Sequence, residues 1–338
     1  MKITLAHGSG GKEMLEFIEN RIAPIFSLKR VMDGLGLPDM EDGSTIPLGD
    51  EKEVVISIDS YTVKPLFFPG GNIGSLAACG SINDVAVMGA IPLAILDAIV
   101  VEEGFEVERL QEILESMERV LREERVALIG GDFKVVPKGE LDGVVISTVS
   151  VGIVERRNLL RADQIKPGDK IIVSGTVGDH GATILAAQEG ISVAGNLKSD
   201  VAPVTKFVRR ALEIGGVRAA KDPTRGGLAM TLNDFASSSK LTIIVEEERI
   251  PIREEVSSYC EMLGIDPLSL ANEGMVVMAV DPERADAIVD ALREKGAREA
   301  SIIGEVRKGR PGFVLMKTIA GGLRLIERPA GEIVPRIC

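Results

Sequence analysis

The clearest chemical candidate in the sequence is a thiol, Cys338, which closes the segment 331–338 (GEIVPRIC). A chain end is tethered on one side only, and it is where order is weakest. Eight extended residues span roughly 26 Å at about 3.3 Å per residue. We therefore expect residues 331–338 to form a mobile tail that carries the sulfur into a pocket and out to a partner. The alternative interpretation is a frayed end with an incidental thiol.

Five aspartates are the candidates for a metal or phosphate site. Four lie at the expected ends of elements, mostly beside glycine or proline: Asp42, Asp59, Asp132 and Asp222. The fifth, Asp84, shares a helical stripe with apolar residues, where a carboxylate is costly unless it is paired or binds a cation. Because Mg²⁺ is usually held by a few carboxylates and phosphate oxygens, the group predicts a magnesium site beside a phosphate. Taken singly, each aspartate is a typical cap or turn residue.

Two segments could hold a phosphate through backbone amides. Gly70 and Gly71 precede a helix, and free N–H groups at a helix start are the usual geometry for binding phosphate. The alternative is a simple turn in which Asn72 is the helix N-cap. Arg225, in the segment 222–227 (DPTRGG), could clamp a phosphate or pair with an aspartate.

Candidates for proton transfer are fewer. Lys134 follows two glycines and could contact phosphate or, if desolvated, act as a base; a solvated surface lysine is the alternative. Glu273 precedes an apolar run and could face a cleft between domains. His180 could be an acid or a base, although a loop histidine is usually neither. Cys79 and Cys260 lie in apolar helical contexts, which predicts core thiols.

The elements that must position these residues alternate along two halves of the chain. Strand-like runs cover 53–61, 93–101, 126–129 and 144–154 in the first half, and 170–174, 241–246, 274–280, 301–306 and 312–316 in the second. Helical runs cover 73–89, 106–124, 182–189, 202–214, 227–237 and 282–295. This shared rhythm predicts an α+β protein of two domains.

The expected organisation has four parts. Residues 1–41 form a flexible glycine-rich segment and a helix, residues 42–156 a first domain, residues 157–330 a second domain, and residues 331–338 the tail. Both chain ends are expected to be detached from the two cores.

Composition excludes several classes of protein. The net charge of −12 and the lack of a Lys/Arg block argue against a nucleic-acid partner. No apolar run approaches the ~20 residues of a membrane span. Three cysteines without paired spacing argue against a disulfide scaffold and fit a reducing cytoplasm.

Taken together, the motifs resemble one family. The segments that carry the resemblance are 7–12 (HGSGGK), 59–74 (DSYTVKPLFFPGGNIG), 83–92 (NDVAVMGAIP), 130–136 (GGDFKVV), 174–181 (SGTVGDHG), 222–227 (DPTRGG), 271–274 (ANEG) and 335–338 (PRIC). They span nearly the whole chain and resemble the HypE family of hydrogenase expression/formation proteins. More widely, the chain is similar to the ATP-binding superfamily of aminoimidazole ribonucleotide (AIR) synthetase, selenophosphate synthetase and thiamine monophosphate kinase.

The resemblance implies a fold and a reaction. The fold would be the two-domain α+β PurM/AIR synthetase type, with residues 42–156 binding ATP and forming a homodimer through a barrel-like pairing of N-terminal sheets around the nucleotide sites. A carbamoyltransferase, HypF, would place a carbamoyl group on the terminal cysteine. The chain would dehydrate it with ATP to a thiocyanate and pass cyanide to iron on a HypC–HypD complex for the [NiFe] centre.

The resemblance also implies a site. Asp42, Asp59, Asp84 and Asp222 match the metal-binding aspartates of the superfamily, and Gly10, Gly11 and Lys12 match its mobile phosphate-covering segment. The expected nucleotide contacts further include Asp59, Gly70, Gly71, Asn72, Asp84, Asp132 and Arg225. Two departures from the family pattern affect metal ligation rather than the tail: Asn72 replaces a common aspartate, and Asp234 stands near a common glutamate.

The chemistry of such a reaction is coherent. An amide oxygen is a poor leaving group, whereas a phosphorylated oxygen leaves as phosphate, after which loss of the N–H protons forms the nitrile. The protein would supply positioning and charge stabilisation, and a base, for which Lys134 and Glu273 are the candidates. Two alternatives remain open: a superfamily kinase or synthetase acting on a free small molecule, and a carrier that only presents Cys338.

Overall fold

The computed structural model describes residues 2–190 and 196–331 of the 338-residue chain. Cys338 therefore lies outside the described residues. The strands are β1 (Ser44–Leu48), β2 (Lys52–Tyr61), β3 (Phe67–Phe68), β4 (Gly71–Asn72), β5 (Ile91–Glu102), β6 (Ala127–Val136), β7 (Val144–Glu155), β8 (Lys170–Val173), β9 (Val217–Lys221), β10 (Thr242–Glu246), β11 (Val277–Val280), β12 (Ser301–Arg307), β13 (Phe313–Lys317) and β14 (Leu323–Leu325). The α-helices are α1 (Lys12–Phe17), α2 (Ile73–Val87), α3 (Val107–Glu124), α4 (Asp179–Gln188), α5 (Thr205–Ile214), α6 (Gly227–Ser239), α7 (Glu254–Leu263) and α8 (Ala285–Glu294).

The first domain is a five-stranded sheet with two helices. Its strand order is β1-β2-β7-β5-β6, and β5 and β6 run parallel because α3 connects them. Strand β7 alternates strictly between buried and half-buried side chains, as expected when one face packs on a core. Helix α2 is buried on nearly all sides. Its glycines permit this, since a Cβ on Gly74 would lie 2.0 Å from the Ile113 carbonyl oxygen.

The second domain is a seven-stranded sheet of order β14-β13-β10-β12-β8-β11-β9. Two apolar cores form around it: one contains α6 residues such as Phe235, and the other contains α5 and α8 residues such as Val208 and Ile288. Antiparallel pairs predominate, with β10 and β13 parallel.

A buried amide on α2 joins the two domains. Asn83 donates from Nδ2 to the carbonyl oxygens of Ala202 and Glu273, and its Oδ1 accepts from the Val204 amide at 2.8 Å. A buried polar side chain is stable only when its hydrogen bonds are made. Asn83 therefore fixes the position of the second domain against α2.

The predicted elements are largely confirmed, with several differences. Strand β6 runs to Val136 rather than residue 129, so Asp132 lies inside a strand and not at an element end as predicted. Helix α7 and five strands, β1, β3, β4, β9 and β14, were not predicted. The two ends contact each other, because Ser9 and Lys12 hydrogen-bond to residues 329–331. The predicted detachment of the tail falls almost wholly on residues 332–338, outside the described ranges, and stays a prediction. Across residues 2–190 and 196–331, every helix is too short or too polar to cross a membrane.

Candidate active site

The acidic residues meet where the two domains face each other. Asp42 precedes β1, Asp59 lies near the end of β2 and Asp84 projects from α2, while Asp222 follows β9 and Glu273 precedes β11. These five carboxyl groups influence one another electrostatically. Their positions along the sequence do not by themselves require this interaction. The structure therefore brings Asp42, Asp59, Asp84 and Asp222 within electrostatic range of one another, and their role as metal ligands stays a prediction.

One buried ion pair anchors the cluster. Lys221 Nζ lies 2.8 Å from Asp42 Oδ1, and its side chain is only 8% exposed. Burial opposes the charge of Lys221, but the charge of Asp42 and its neighbours prevails and raises the lysine pKa. Burial also raises the pKa of Asp42, against the attraction of Lys221. Asp42 Oδ2 is buried without a hydrogen-bond partner among the described residues and is the oxygen left for a ligand.

Asp84 is a buried carboxyl surrounded by like charges. Ser57 on β2 donates its hydroxyl to Asp84 Oδ2 at 2.5 Å. Burial, followed by the charges of Asp222, Asp59 and Asp42, raises the Asp84 pKa well above its ordinary value. The carboxyl therefore holds a proton or needs a compensating cation.

Asp222 and Asp59 border the loop that carries Arg225. Burial, and next the charge of Asp42, raises the pKa of Asp222 to about 8, and its Oδ2 is buried without a partner. Arg225 Nη2 lies 3.4 Å from Asp59 Oδ1, which fits the predicted arginine–aspartate alternative. A Cβ on Gly10 would lie 2.2 Å from the Arg225 Cβ, so the glycine-rich segment packs directly on this arginine.

Glu273 is a buried carboxyl with an oxygen that could accept a proton. Its side chain is buried, and within residues 2–190 and 196–331 its Oε2 has no hydrogen-bond partner. Burial raises its pKa well above the ordinary value, with added repulsion from Asp222 and Asp200. The Asp200 carboxylate holds the Glu273 backbone by accepting from its amide at 3.1 Å.

The donor set fits a cation only together with another ligand. In the described part of the chain, no three His, Cys, Asp or Glu side chains are grouped so that they could hold a metal ion by themselves. Yet Asp42, Asp222 and Glu273 each retain a buried oxygen without a partner. Mg²⁺ is usually bound by one or two carboxylates plus substrate phosphates, so the cluster suits a cation that arrives with a phosphate.

The start of α2 is occupied by its own cap. Asn72 Oδ1 accepts from the amides of Gly74 and Ser75, and Nδ2 donates to Ser116. A Cβ on Gly70 would lie 2.7 Å from the Ser199 carbonyl oxygen. The N-cap interpretation of Asn72 is thus the one the structure supports, and nucleotide contacts by Gly70, Gly71 and Asn72 stay predictions.

Asp132 and Lys134 lie apart from the cluster within one chain. They form an exposed ion pair on β6. The strand register aligns Asp59 with Thr148, Asp97 and Gly131 across β2, β7, β5 and β6. Three strand spacings of about 4.8 Å separate β2 from β6 by about 14 Å. The chain does not bring Lys134 to its own acidic cluster.

Two of the N-terminal candidates, Gly11 and Lys12, have structural roles in this chain. Gly11 is the N-cap of α1, and the exposed Lys12 ammonium lies 3.8 Å from Glu16. Asp234, one of the two departures from the family pattern, forms an ion pair with Arg328 at 2.5 Å. The aspartate side chain therefore holds the segment that leads to the tail.

Several important residues escaped prediction. Lys221 sits beside Asp222 in the sequence, but its strand β9 was missed. Asp200 has no sequence signal, since it lies in an irregular loop. His180 is in α4 rather than a loop; burial lowers its pKa to about 3, and its Nδ1 bonds Ser199 Oγ at 2.7 Å. Cys79 and Cys260 are buried, as predicted.

Comparison with known proteins identifies relatives along the entire chain. Family models for AIR synthase related proteins match residues 40–154 (N-terminal domain) and 166–317 (C-terminal domain). A putative hydrogenase expression/formation protein of Methanocaldococcus jannaschii is 47% identical over 340 residues, covering 100% of both chains. A carbamoyl dehydratase HypE of Rhizobium leguminosarum bv. viciae is 42% identical, covering 100% of this chain and 95% of that one.

Solved structures are similar in fold as well. A HypE–HypF complex gives a TM-score of 0.86 at 38% identity, covering 93% of this chain and 99% of that one. A HypE structure in complex with ATP gives 0.82 at 37% identity, covering 100% of both.

Proposed function

The chain belongs to the HypE family of AIR synthase related proteins, and from this premise we propose that it is a carbamoyl dehydratase of hydrogenase maturation. The observation that carries the proposal is the 42% identity with a carbamoyl dehydratase HypE across the whole of this chain. The acidic cluster between the domains supplies a place where a phosphate and a cation can meet a carbamoyl group.

The reaction converts a carbamoyl group on the Cys338 sulfur into a thiocyanate. ATP transfers its γ-phosphoryl group to the carbamoyl oxygen, and the carbon–oxygen bond then breaks to release phosphate. The nitrogen gives up both protons, and the carbon–nitrogen triple bond forms. The equation balances as S-carbamoyl plus ATP giving S-cyano, ADP, hydrogen phosphate and one proton: one nitrogen proton ends on the phosphate and the other is released through the base. The cyano group supplies the cyanide ligands of the [NiFe] iron.

ATP binding is supported by the HypE relative that was crystallised with ATP. We place its phosphates beside Asp59 and Arg225, with Gly10, Gly11 and Lys12 covering them. Mg²⁺ would be held by members of the set Asp42, Asp59, Asp84 and Asp222 together with the phosphate oxygens, and it would neutralise the developing charge on the phosphate. Its charge would also remove the repulsion that raises the pKa values of Asp84 and Asp222.

Glu273 is the base that the geometry favours. Its Oε2 is buried without a partner, and a site closed to water limits hydrolysis of the phosphorylated intermediate. Asp200 and Asn83 fix the Glu273 backbone from two sides, which keeps the carboxyl in place. Lys134 remains a candidate only from a second copy, since β6 is about 14 Å from β2 in the same chain.

A homodimer is supported by the open face of the first sheet. Strand β6 is an edge strand with exposed side chains along nearly its whole length. Large apolar side chains are exposed on it and on neighbouring strands: Ile58, Ile91, Leu93, Leu96, Leu128, Ile129, Phe133 and Val135. An open apolar edge of this kind invites pairing with another chain. Pairing of two such sheets would place Lys134 and Asp132 of one copy near the cluster of the other.

Mixed dimers test this arrangement. Lys134→Ala and Asp84→Asn variants are each expected to be at least about tenfold slower than wild type. After an equal mixture is unfolded and refolded, half of the dimers are mixed and each has one intact site, so about a quarter of the wild-type rate returns. A mixture that stays as slow as its components would place Lys134 outside the neighbouring site.

Partners follow from the same family. The structure of a HypE–HypF complex supports HypF as the donor of the carbamoyl group. We further propose a HypC–HypD complex as the acceptor of cyanide and the cytoplasm as the compartment, in keeping with three unpaired cysteines.

The mass of the protein tests the proposed function. Protein carbamoylated on Cys338 is expected to lose one water mass when ATP and Mg²⁺ are added, and to keep its mass with ADP. An unchanged mass with ATP would reduce the chain to a carrier of the carbamoyl group.

A further inference from the structure

The two ends of the described chain are bonded to each other. Both Glu13 carboxylate oxygens accept from the Gly331 amide, each at 3.0 Å. Ser9 donates its hydroxyl to the Gly331 carbonyl at 3.1 Å, and the Lys12 amide donates to the Pro329 carbonyl at 3.0 Å. We call Ser9, Lys12 and Glu13 the clasp. It holds the point from which the segment bearing Cys338 departs.

Residues 326–328, which precede the clasped residues in the chain, are also fixed. Arg328 bonds Asp234 on α6 at 2.5 Å, and the Asn233 side chain donates to the Ile326 carbonyl at 3.1 Å. The clasp is therefore the last anchor in the described residues before Cys338. Without it, the last anchored residue is Arg328.

The clasp is continuous with the proposed nucleotide site. Gly10 lies between Ser9 and Lys12 and packs against Arg225, where any side chain in place of its hydrogen would collide. Its φ of +83° also favours glycine. Arg225 in turn faces Asp59. The clasp and the proposed nucleotide site therefore lie on the same short segment, residues 9–13.

We propose that Glu13 is a positioning residue of the dehydration reaction, because it fixes Gly331 as the origin of the segment that delivers Cys338. The inference rests on the proposed function. Seven residues link Gly331 to Cys338, a reach of roughly 23 Å at about 3.3 Å each. A fixed origin limits the volume that the sulfur samples and raises its effective concentration at the acidic cluster.

The size of the effect follows from chain length and direction. Loss of the clasp lengthens the free segment from seven residues to ten, and a −3/2 power dependence then lowers the effective concentration about 1.7-fold. Glu13→Ala removes both bonds to the Gly331 amide and leaves the Ser9 and Lys12 bonds in place. The loss of a fixed starting direction at Gly331 is therefore expected to slow water loss by about the same factor, roughly twofold. Hydrogen bonds from its own amide and from Gly331 lower the pKa of Glu13, which keeps this acceptor charged at neutral pH.

Single-turnover mass measurements on the carbamoylated full-length protein test the proposal. Glu13→Ala is expected to lower the first-order rate at saturating ATP while the half-saturating ATP concentration and the melting temperature stay at wild-type values. Glu13→Gln keeps one acceptor oxygen and is expected to recover most of the rate. Glu16→Ala, on the same helix and with its carboxylate 3.8 Å from the exposed Lys12 ammonium, is the matched control. Equal rates for Glu13→Ala and Glu16→Ala, or a parallel loss of ATP affinity and melting temperature, would overturn the proposal.

A second readout does not depend on turnover. A nitroxide spin label reaches Cys338 selectively, because Cys79 and Cys260 are buried. Its spectrum is expected to sharpen in Glu13→Ala and to match wild type in Glu16→Ala. If wild type lost no water, the proposed function would be wrong, but the spectra would still test the clasp. If the Glu13→Ala and wild-type spectra were identical, the clasp proposal would be wrong even if wild type were active.

Discussion

Replacing Cys338 with alanine is expected to abolish cyanide formation and leave ATP binding intact. The sulfur is the atom to which the carbamoyl carbon is attached, so no other side chain can substitute for it. The acidic cluster is built from described residues between positions 42 and 273, so ATP binding is expected to persist without the thiol. Titration calorimetry should therefore give an ATP affinity within about twofold of wild type, a difference under 0.5 kcal/mol.

The Cys338→Ala variant also separates the alternatives. A kinase or synthetase for a free small molecule would keep its full turnover without this thiol. Cys338→Ser is the matched control for shape, because it preserves size but replaces the sulfur. Undiminished turnover of ATP with a free amide substrate in both variants would show that Cys338 is incidental.

The second large effect is expected at Glu273. Glu273→Gln keeps the size of the side chain and removes the carboxylate that would collect protons. General bases contribute about 10²–10⁴-fold to rate, so we expect at least a hundredfold loss in single-turnover water loss. Glu248→Gln, at an exposed position in the same domain, should react at the wild-type rate.

The pH dependence gives Glu273 a signature. Burial raises the Glu273 pKa, so the group is protonated and inactive as a base at low pH. The wild-type rate should rise with pH through that raised pKa, and this limb should vanish in Glu273→Gln. A wild-type rate flat across the range, or a variant that keeps the limb, would assign proton removal to another group.

The contribution of Glu273 to the free energy of unfolding should change with pH in the opposite direction to the rate. A carboxyl with a raised folded pKa binds its proton more tightly in the folded state, so its stabilisation is complete below the ordinary value of about 4.3 and falls as pH rises through the raised pKa. Glu273→Gln lacks this loss. At pH 8 its free energy of unfolding should exceed that of wild type, although its activity is lower.

The sequence was informative where a residue type conflicted with its local pattern. Asp84 on an apolar stripe predicted a carboxylate in need of a partner, and the structure places it against Asp222, Asp59 and Asp42. The alternation of strand and helix patterns predicted a two-domain α+β fold, and the matching domain families confirm it. Both successes rest on local periodicity, which a sequence displays directly.

The failures involve contacts between distant segments. Lys221 bonds Asp42 across 179 residues, and Glu13 bonds Gly331 across 318. Neither pair has a local pattern that predicts it. Asp132 looked like an element end because glycines precede it, yet those glycines lie within β6, where Gly131 packs against Asp97. Tertiary packing decided each case.

The fate of the carbamoyl oxygen tests the central claim most directly. Protein carrying a carbamoyl group with an isotopically heavy oxygen on Cys338 is mixed with ATP and Mg²⁺ in ordinary water, and the released phosphate is analysed by mass spectrometry. Phosphoryl transfer to that oxygen predicts that the heavy isotope appears in phosphate as the thiocyanate forms. Heavy oxygen recovered in water instead, with unlabelled phosphate, would contradict the account.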